Sequence, residues 1–157
     1  MKLRYRIGHE NIHETKLMML AQQPDRTISM SQLFYAELFV DSEVEPDKTV
    51  ELGNIPVLYF LADLYFFAQE HKDEPFVHIK GISDENQAYW IELCKTRSRL
   101  TLTSRKHKVQ QIKLPFPSED HLAALAKKFV QGYIKRVPEL ANYSGMKHVE
   151  KEFGFTL

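Results

Sequence analysis

The chain has one cysteine, Cys94, so it can close no intramolecular disulfide and build no multi-cysteine metal site, a usage that fits a reducing compartment. Its six glycines are scattered over 157 residues. No glycine-rich loop follows a strand and opens a helix, which excludes phosphate binding by a P-loop or a dinucleotide fingerprint. Charge of either sign is not in excess: Lys plus Arg and Asp plus Glu number 21 each, so any electrostatic function is local. Long hydrophobic runs are missing too. The most apolar stretch, IPVLYFLADLYFFA over residues 55–68, falls short of the roughly 20 residues that span a bilayer. It also carries Asp63 at its middle, where an acidic residue costs about 2.5 to 3.5 kcal/mol on insertion. The opening MKLRYRIGHE lacks the apolar core of a secretory signal, so a cytoplasmic protein with no membrane partner is expected. There is no internal repeat and no Pro/Gly/Ser linker, and residues 1–157 are read as a single domain.

What is present is globular. Apolar residues make up 43% and charged residues 27%, and a chain of this length buries about two thirds of its unfolded surface. Residues 2–7, KLRYRI, alternate with Leu3, Tyr5 and Ile7 on one side, the period of a half-buried strand, before Gly8. ETKLMMLAQQ, 14–23, has helix-forming composition and stops before Pro24. SQLFYAELFV, 31–40, reads as strand, DSEVEPDK as an exposed acidic loop, and KTVEL as a strand pairing back. Pro56 then fits the first turn of a helix reaching His71. Segments 75–82, 87–95, 97–104 and 107–114 have strand character, with the short connections SDEN, TR and RK that a meander needs. Ser118 is placed to cap a closing helix, and Leu122, Leu125, Ala126, Phe129, Val130, Tyr133, Ile134 and Val137 recur at helical spacing before Pro138. The expectation is an α+β fold: an antiparallel meander with helices packed mainly on one face.

Three constellations carry chemistry. His9, Glu10 and His13 spell HExxH, which on a helix sets two imidazoles on one side with a carboxylate beside them to take a proton from metal-bound water. The context argues against it. The motif follows Gly8 at the end of a strand, Lys16 and Met19 stand where the extended motif has glycine and histidine, and nothing marks Glu37 or Glu51 as a third ligand. A polar turn or helix start is the preferred reading, with no metal and no cofactor. Asp63, inside an aromatic helix, must be paired, protonated or turned to water. Tyr59, Asp63, Phe66 and Glu70 follow helical spacing, which reads as a narrow exposed stripe rather than an acid catalyst. Third, residues 95–113 hold Lys95, Arg97, Arg99, Arg105, Lys106, Lys108 and Lys113 with no acid, whereas residues 37–51 hold six acids against one lysine. Period 2 places Arg97, Arg99 and Arg105 in one row with Thr101 and Thr103, opposite Leu100 and Leu102. Cys94, on a strand with Trp90, reads as a small core side chain.

The order of KLRYRI, the acidic ELFVDSEVEPDK, the aromatic helix IPVLYFLADLYFF, the strands AYWIELC and RLTLTS and a closing helix resembles the small cytoplasmic immunity proteins that bacteria pair with polymorphic toxins. The resemblance implies blockade of a toxin by direct binding, with Glu43, Glu45 and Asp47 meeting a basic partner. The preferred expectation is thus a non-enzymatic protein that binds another protein through Glu43, Glu45, Asp47, Arg97, Arg99 and Arg105. The alternatives are a zinc hydrolase using His9 and His13, and a nucleic-acid binder using the basic strand.

Overall fold

The computed structural model describes residues 1–21, 28, 32–83, 89–105 and 108–157. Alternation builds two antiparallel sheets. In the first, β1 (Lys2–Arg6) pairs with β2 (Tyr35–Asp41), and β2 with β3 (Thr49–Pro56). In the second, β4 (Phe76–Ser83), β5 (Trp90–Thr96), β6 (Arg99–Ser104) and β7 (Gln110–Pro115) run as a meander in chain order. The sheets meet where β3 and the loop before it approach β7. Side chains bridge that seam: Gln110 Oε1 accepts from the Glu51 amide at 3.1 Å, Glu45 Oε2 accepts from the Lys113 amide at 2.8 Å, and the Ser42 hydroxyl donates to the Lys113 carbonyl.

Ala36, Leu38 and Val40 of β2, Val50 and Leu52 of β3, Ile91 and Leu93 of β5, Leu100 and Leu102 of β6, and Ile112 and Leu114 of β7 are all buried. They form one cluster with Leu58, Leu61 and Leu64 of α2 (Val57–His71) and Leu122, Ala126, Phe129 and Val130 of α3 (Glu119–Arg136). Removing that apolar surface from water, at about 25 cal/mol per Å², holds both sheets to one helical layer. The architecture is α+β, with helices on one face of the strands. The α3 amphipathic pattern translates directly into structure, with the Ser118 hydroxyl accepting from the His121 amide at 3.2 Å and Pro138 beginning a short 3-10 turn, Pro138–Asn142. Beyond it lies α4 (Met146–Phe153), which buries Met146, Val149 and Phe153 and ends on Gly154 at φ 69°, the left-handed stop that glycine adopts without penalty.

Several boundaries differ from the periodicity. The first helix, α1, spans His9–Leu20 rather than 14–23, of which residues 22 and 23 lie outside the described ones. Its buried positions are polar, Asn11 and Thr15, so no apolar stripe announces it. Asn11 donates to Asn54 Oδ1 at 3.1 Å, and the Thr15 hydroxyl lies 3.4 Å from that of Tyr133. β3 continues through Pro56, which precedes α2 instead of opening it, and a register shift places Leu52 as an extra residue beside Gly53 at φ 76°. β6 starts at Arg99. Arg97 sits in the tight β5–β6 turn at φ 54°, off the strand row where period 2 placed it. Ser31, residues 84–88, Lys106 and His107, assigned above to strands, connections and the basic row, lie outside the described residues.

Candidate functional site

The helices leave the other face of the four-stranded sheet uncovered, and the register defines what it displays. Thr103 sits between Glu92 on β5 and Gln111 on β7; Thr101 sits between Cys94 and Lys113; Arg99 lies between Thr96 and Pro115. At the β4 side the face is apolar: Phe76 is 55% exposed, Ile79 65% and Trp90 48%. A register shift between Val77 and Lys80 turns Ile79 outward beside Cys94. Trp90 lies across Gly81, where an added Cβ would stand 3.5 Å from its ring. Between Ile79 and Arg105 the face dips into a hollow of about 320 Å³ lined also by Glu92, Cys94, Thr101, Thr103 and Gln111. Cys94 is half-buried on this outer face, not in the core.

Charges divide unevenly along the two sheets. On the three-stranded half each outward arginine of β1 has a partner on β2. Arg4 grips Asp41 through both oxygens, at 2.6 and 2.9 Å, and stacks 5.3 Å over Phe39, while Arg6 pairs with Glu37. The Arg4 hydrogen bonds, with one from Thr49, hold the Asp41 carboxyl down to about 2 against the desolvation that opposes it. On the four-stranded half Arg105 pairs with Glu92 at 3.0 Å. Arg97, Arg99 and Lys113 are exposed and make no ion pair among the described residues.

The acidic loop is stitched to the sheet rather than swinging free. Ser42 Oγ accepts from the amides of Val44 and Glu45 at 3.1 and 2.9 Å, folding the loop into a tight turn. Glu45 bonds Lys48 at 2.9 Å and, through its other oxygen, the Lys113 amide, and those bonds lower its pKa, the Lys48 bond most. Glu43 lies 3.5 Å from the Met1 ammonium, and Asp47 is exposed. Of the six residues expected to meet a partner, Arg99 and Arg105 share the open face, Arg97 borders it from the turn, and the acids lie on the loop alongside β7. Glu45 is committed to holding that loop.

His9, Glu10 and His13 are exposed on the first turns of α1. His9 and Glu10 border a shallow hollow with Arg6 and Glu37, but Glu37 is engaged by Arg6 and His13 does not line it. Among the described residues no group of three His, Cys, Asp or Glu side chains converges as a metal-holding set. Asp63 is half-buried and accepts a 2.5 Å bond from the Tyr89 hydroxyl. On α4, Glu152 Oε2 is buried without a hydrogen-bond partner, 3.9 Å from His148. Burial raises the Glu152 pKa, the Asp63 charge raises it further, and His148 opposes both.

Lys95 departs most from the sequence reading. It is 3% exposed and points to the helical side, donating to the carbonyls of His71 and Lys72 at the end of α2. Its ammonium sits 4.1 Å over the Phe116 ring. Strict alternation after Ile91 and Leu93 was the available signal, and the charge overrode it. The aromatic neighbours of the basic row were invisible for a different reason: Trp90 and Phe76 come from other strands. Comparison with protein-family models, curated proteins and solved structures finds no significant match to this chain. Among the described residues no helix is long and apolar enough to cross a membrane.

Proposed function

We propose that the protein is a non-enzymatic interaction protein that docks another protein on the open face of β4–β7. One observation carries the reading: three large apolar side chains, Phe76, Ile79 and Trp90, stand exposed on the same uncovered face as Arg99 and Lys113. Exposed apolar groups that share one face along its length, bordered by charge, are the composition of an interface with aromatic anchors and a polar rim. The order of elements keeps an immunity-like role as the specific form of this proposal, with the partner encoded next to the gene. Docking on the face is favoured over strand addition at the edge. The outer strand β4 carries a register shift, and its inward Lys80 reaches Glu70 of α2 at 2.8 Å, devices that blunt an edge.

Trp90 is the single tryptophan, so tryptophan emission, excited selectively, reports on this face alone. Titrating the product of the neighbouring open reading frame into the protein is expected to shift Trp90 emission to the blue and to saturate at a fixed stoichiometry. Binding detected by calorimetry with no change in Trp90 emission, and undiminished in Ile79→Ser, rejects the open face. A gene standing alone, with no neighbour whose product binds, rejects the immunity-like form.

A further inference from the structure

We infer that the partner docked on this face presents carboxylates around a projecting apolar side chain: an acidic protein surface. The inference rests on the reading that the open face is the docking surface, and adds the partner's chemistry to it. On β1–β3 the outward arginines are neutralised within the fold, Arg4 by Asp41 and Arg6 by Glu37. On β4–β7 the outward acid, Glu92, is already engaged by Arg105. Arg99 and Lys113 stand diagonally on neighbouring strands, since Arg99 pairs with Pro115 and Lys113 with Thr101, and Arg97 lies in the turn just beyond. Three cations thus gather at one end of the apolar Phe76 and Ile79; Arg97 and Arg99 make no ion pair among the described residues, and Lys113 has near it only Glu45 of the loop, which Lys48 already engages. Water screens their mutual repulsion in the free protein, and a partner's carboxylates replace that screening and steer the encounter.

The hollow between Ile79 and the Arg105–Glu92 pair, about 320 Å³, offers a seat for one apolar side chain beside those cations. A basic partner would meet no free outward carboxylate on β4–β7 among the described residues. Single-stranded nucleic acid is the weaker match. Phe76 pairs with Thr96 whereas Trp90 pairs with Ser83, so the two rings lie at opposite ends of β5. Six strand residues separate them by about 20 Å, too far for consecutive bases to stack between.

The test is selection of a displayed library of random twelve-residue peptides on the intact protein. Enrichment of peptides with several Asp or Glu residues flanking Leu, Ile or Phe is expected. Their affinity should fall with added salt and about tenfold in Arg99→Glu and in Lys113→Glu, while Lys2→Glu leaves it unchanged. Enrichment of basic or uncharged peptides, or of none, overturns the acidic assignment. Acidic peptides that bind Ile79→Ser and Trp90→Ala as tightly as the parent overturn the face itself, which separates failure of the docking reading from failure of the partner chemistry. Ile79→Ser changes an exposed side chain and keeps that arm interpretable if Trp90→Ala loses its fold. An oligo-dT of about 20 nucleotides that outcompetes the selected peptides shifts the ligand to nucleic acid and overturns the inference.

Discussion

Replacing Lys95 separates the worth of a buried ammonium from the worth of the stem that carries it. With 3% exposure the ammonium has lost most of its water, a cost of several kcal/mol. Against this it makes two charge-assisted hydrogen bonds, at 2.5 Å to the His71 carbonyl and 2.9 Å to that of Lys72. Each contributes about 1.5 to 3 kcal/mol. The cation also meets the negative end of α2, for about 1 kcal/mol, and the face of Phe116 at 4.1 Å, for about 1 to 2 kcal/mol. The favourable sum exceeds the cost by a small margin. Lys95→Met, which keeps the stem and removes the charge, is therefore expected to destabilise by about 1 to 3 kcal/mol, chiefly by leaving two helix-end carbonyls unpaired. Lys95→Ala also forfeits three buried methylenes at about 0.8 kcal/mol each and leaves a cavity, for a total of about 4 to 5 kcal/mol. Urea unfolding at pH 7, followed by circular dichroism, measures both. Lys95→Met as stable as the parent or more so would refute the reasoning: desolvation would then outweigh the carbonyl bonds.

Trp90→Ala should cost partner binding about 3 kcal/mol, because the exposed half of the ring, about 120 Å² at 25 cal/mol per Å², is what docking removes from water. Calorimetry showing a loss below about 0.5 kcal/mol removes Trp90 from the interface. The Asp41 carboxyl, held near 2 by Arg4 against an ordinary value of about 3.9, stabilises the fold above pH 4 and loses that contribution as the pH falls toward 2. Since Arg4 is 53% exposed, solvent screening limits the effect to about 1 kcal/mol, and the urea midpoints of parent and Asp41→Asn should converge across that window. A constant offset between them contradicts the assignment. Glu152 shifts the opposite way. Its raised folded-state pKa favours the fold while the carboxyl is protonated, and this stability is lost as the pH rises through the folded value. Glu152→Gln should accordingly be the more stable protein at pH 8 and match the parent at pH 4, as thermal melts at the two pH values would show.

Much of the scaffold was legible because burial imposes a period. The α3 stripe and the alternation in β2, β6 and β7 each repeat as their geometry requires, so antiparallel strands and a closing helix could be read from single segments. The same rule fails where the buried side is polar. α1 hides Asn11 and Thr15 against Asn54 and Tyr133, partners that no local pattern reveals, so the composition places the helix at 14–23 and leaves residues 9–13 open between a polar turn and a helix start. The HExxH spacing does fall on a helix, yet two exposed histidines gain a third ligand only if another element delivers one, and Glu37 is taken by Arg6.

By itself the sequence determined the α+β class, the charge asymmetry between residues 37–51 and 95–113, and, Arg97 excepted, which positions face away from Leu100 and Leu102. Those properties follow from residue type and period alone. Tertiary structure decided which charges remain available. Arg4 and Arg6 reach across to Asp41 and Glu37, Glu45 is drawn into the seam with β7, and Lys95 is sealed beneath the end of α2. It also carried Phe76 and Ile79 of β4 to the face that bears Arg99 and Lys113, and set Trp90 at the far end of that face beside Arg105. Pairing distances are set by register between strands distant in the chain, and it is register, not composition, that turned a balanced set of charges into a face with cations to spare.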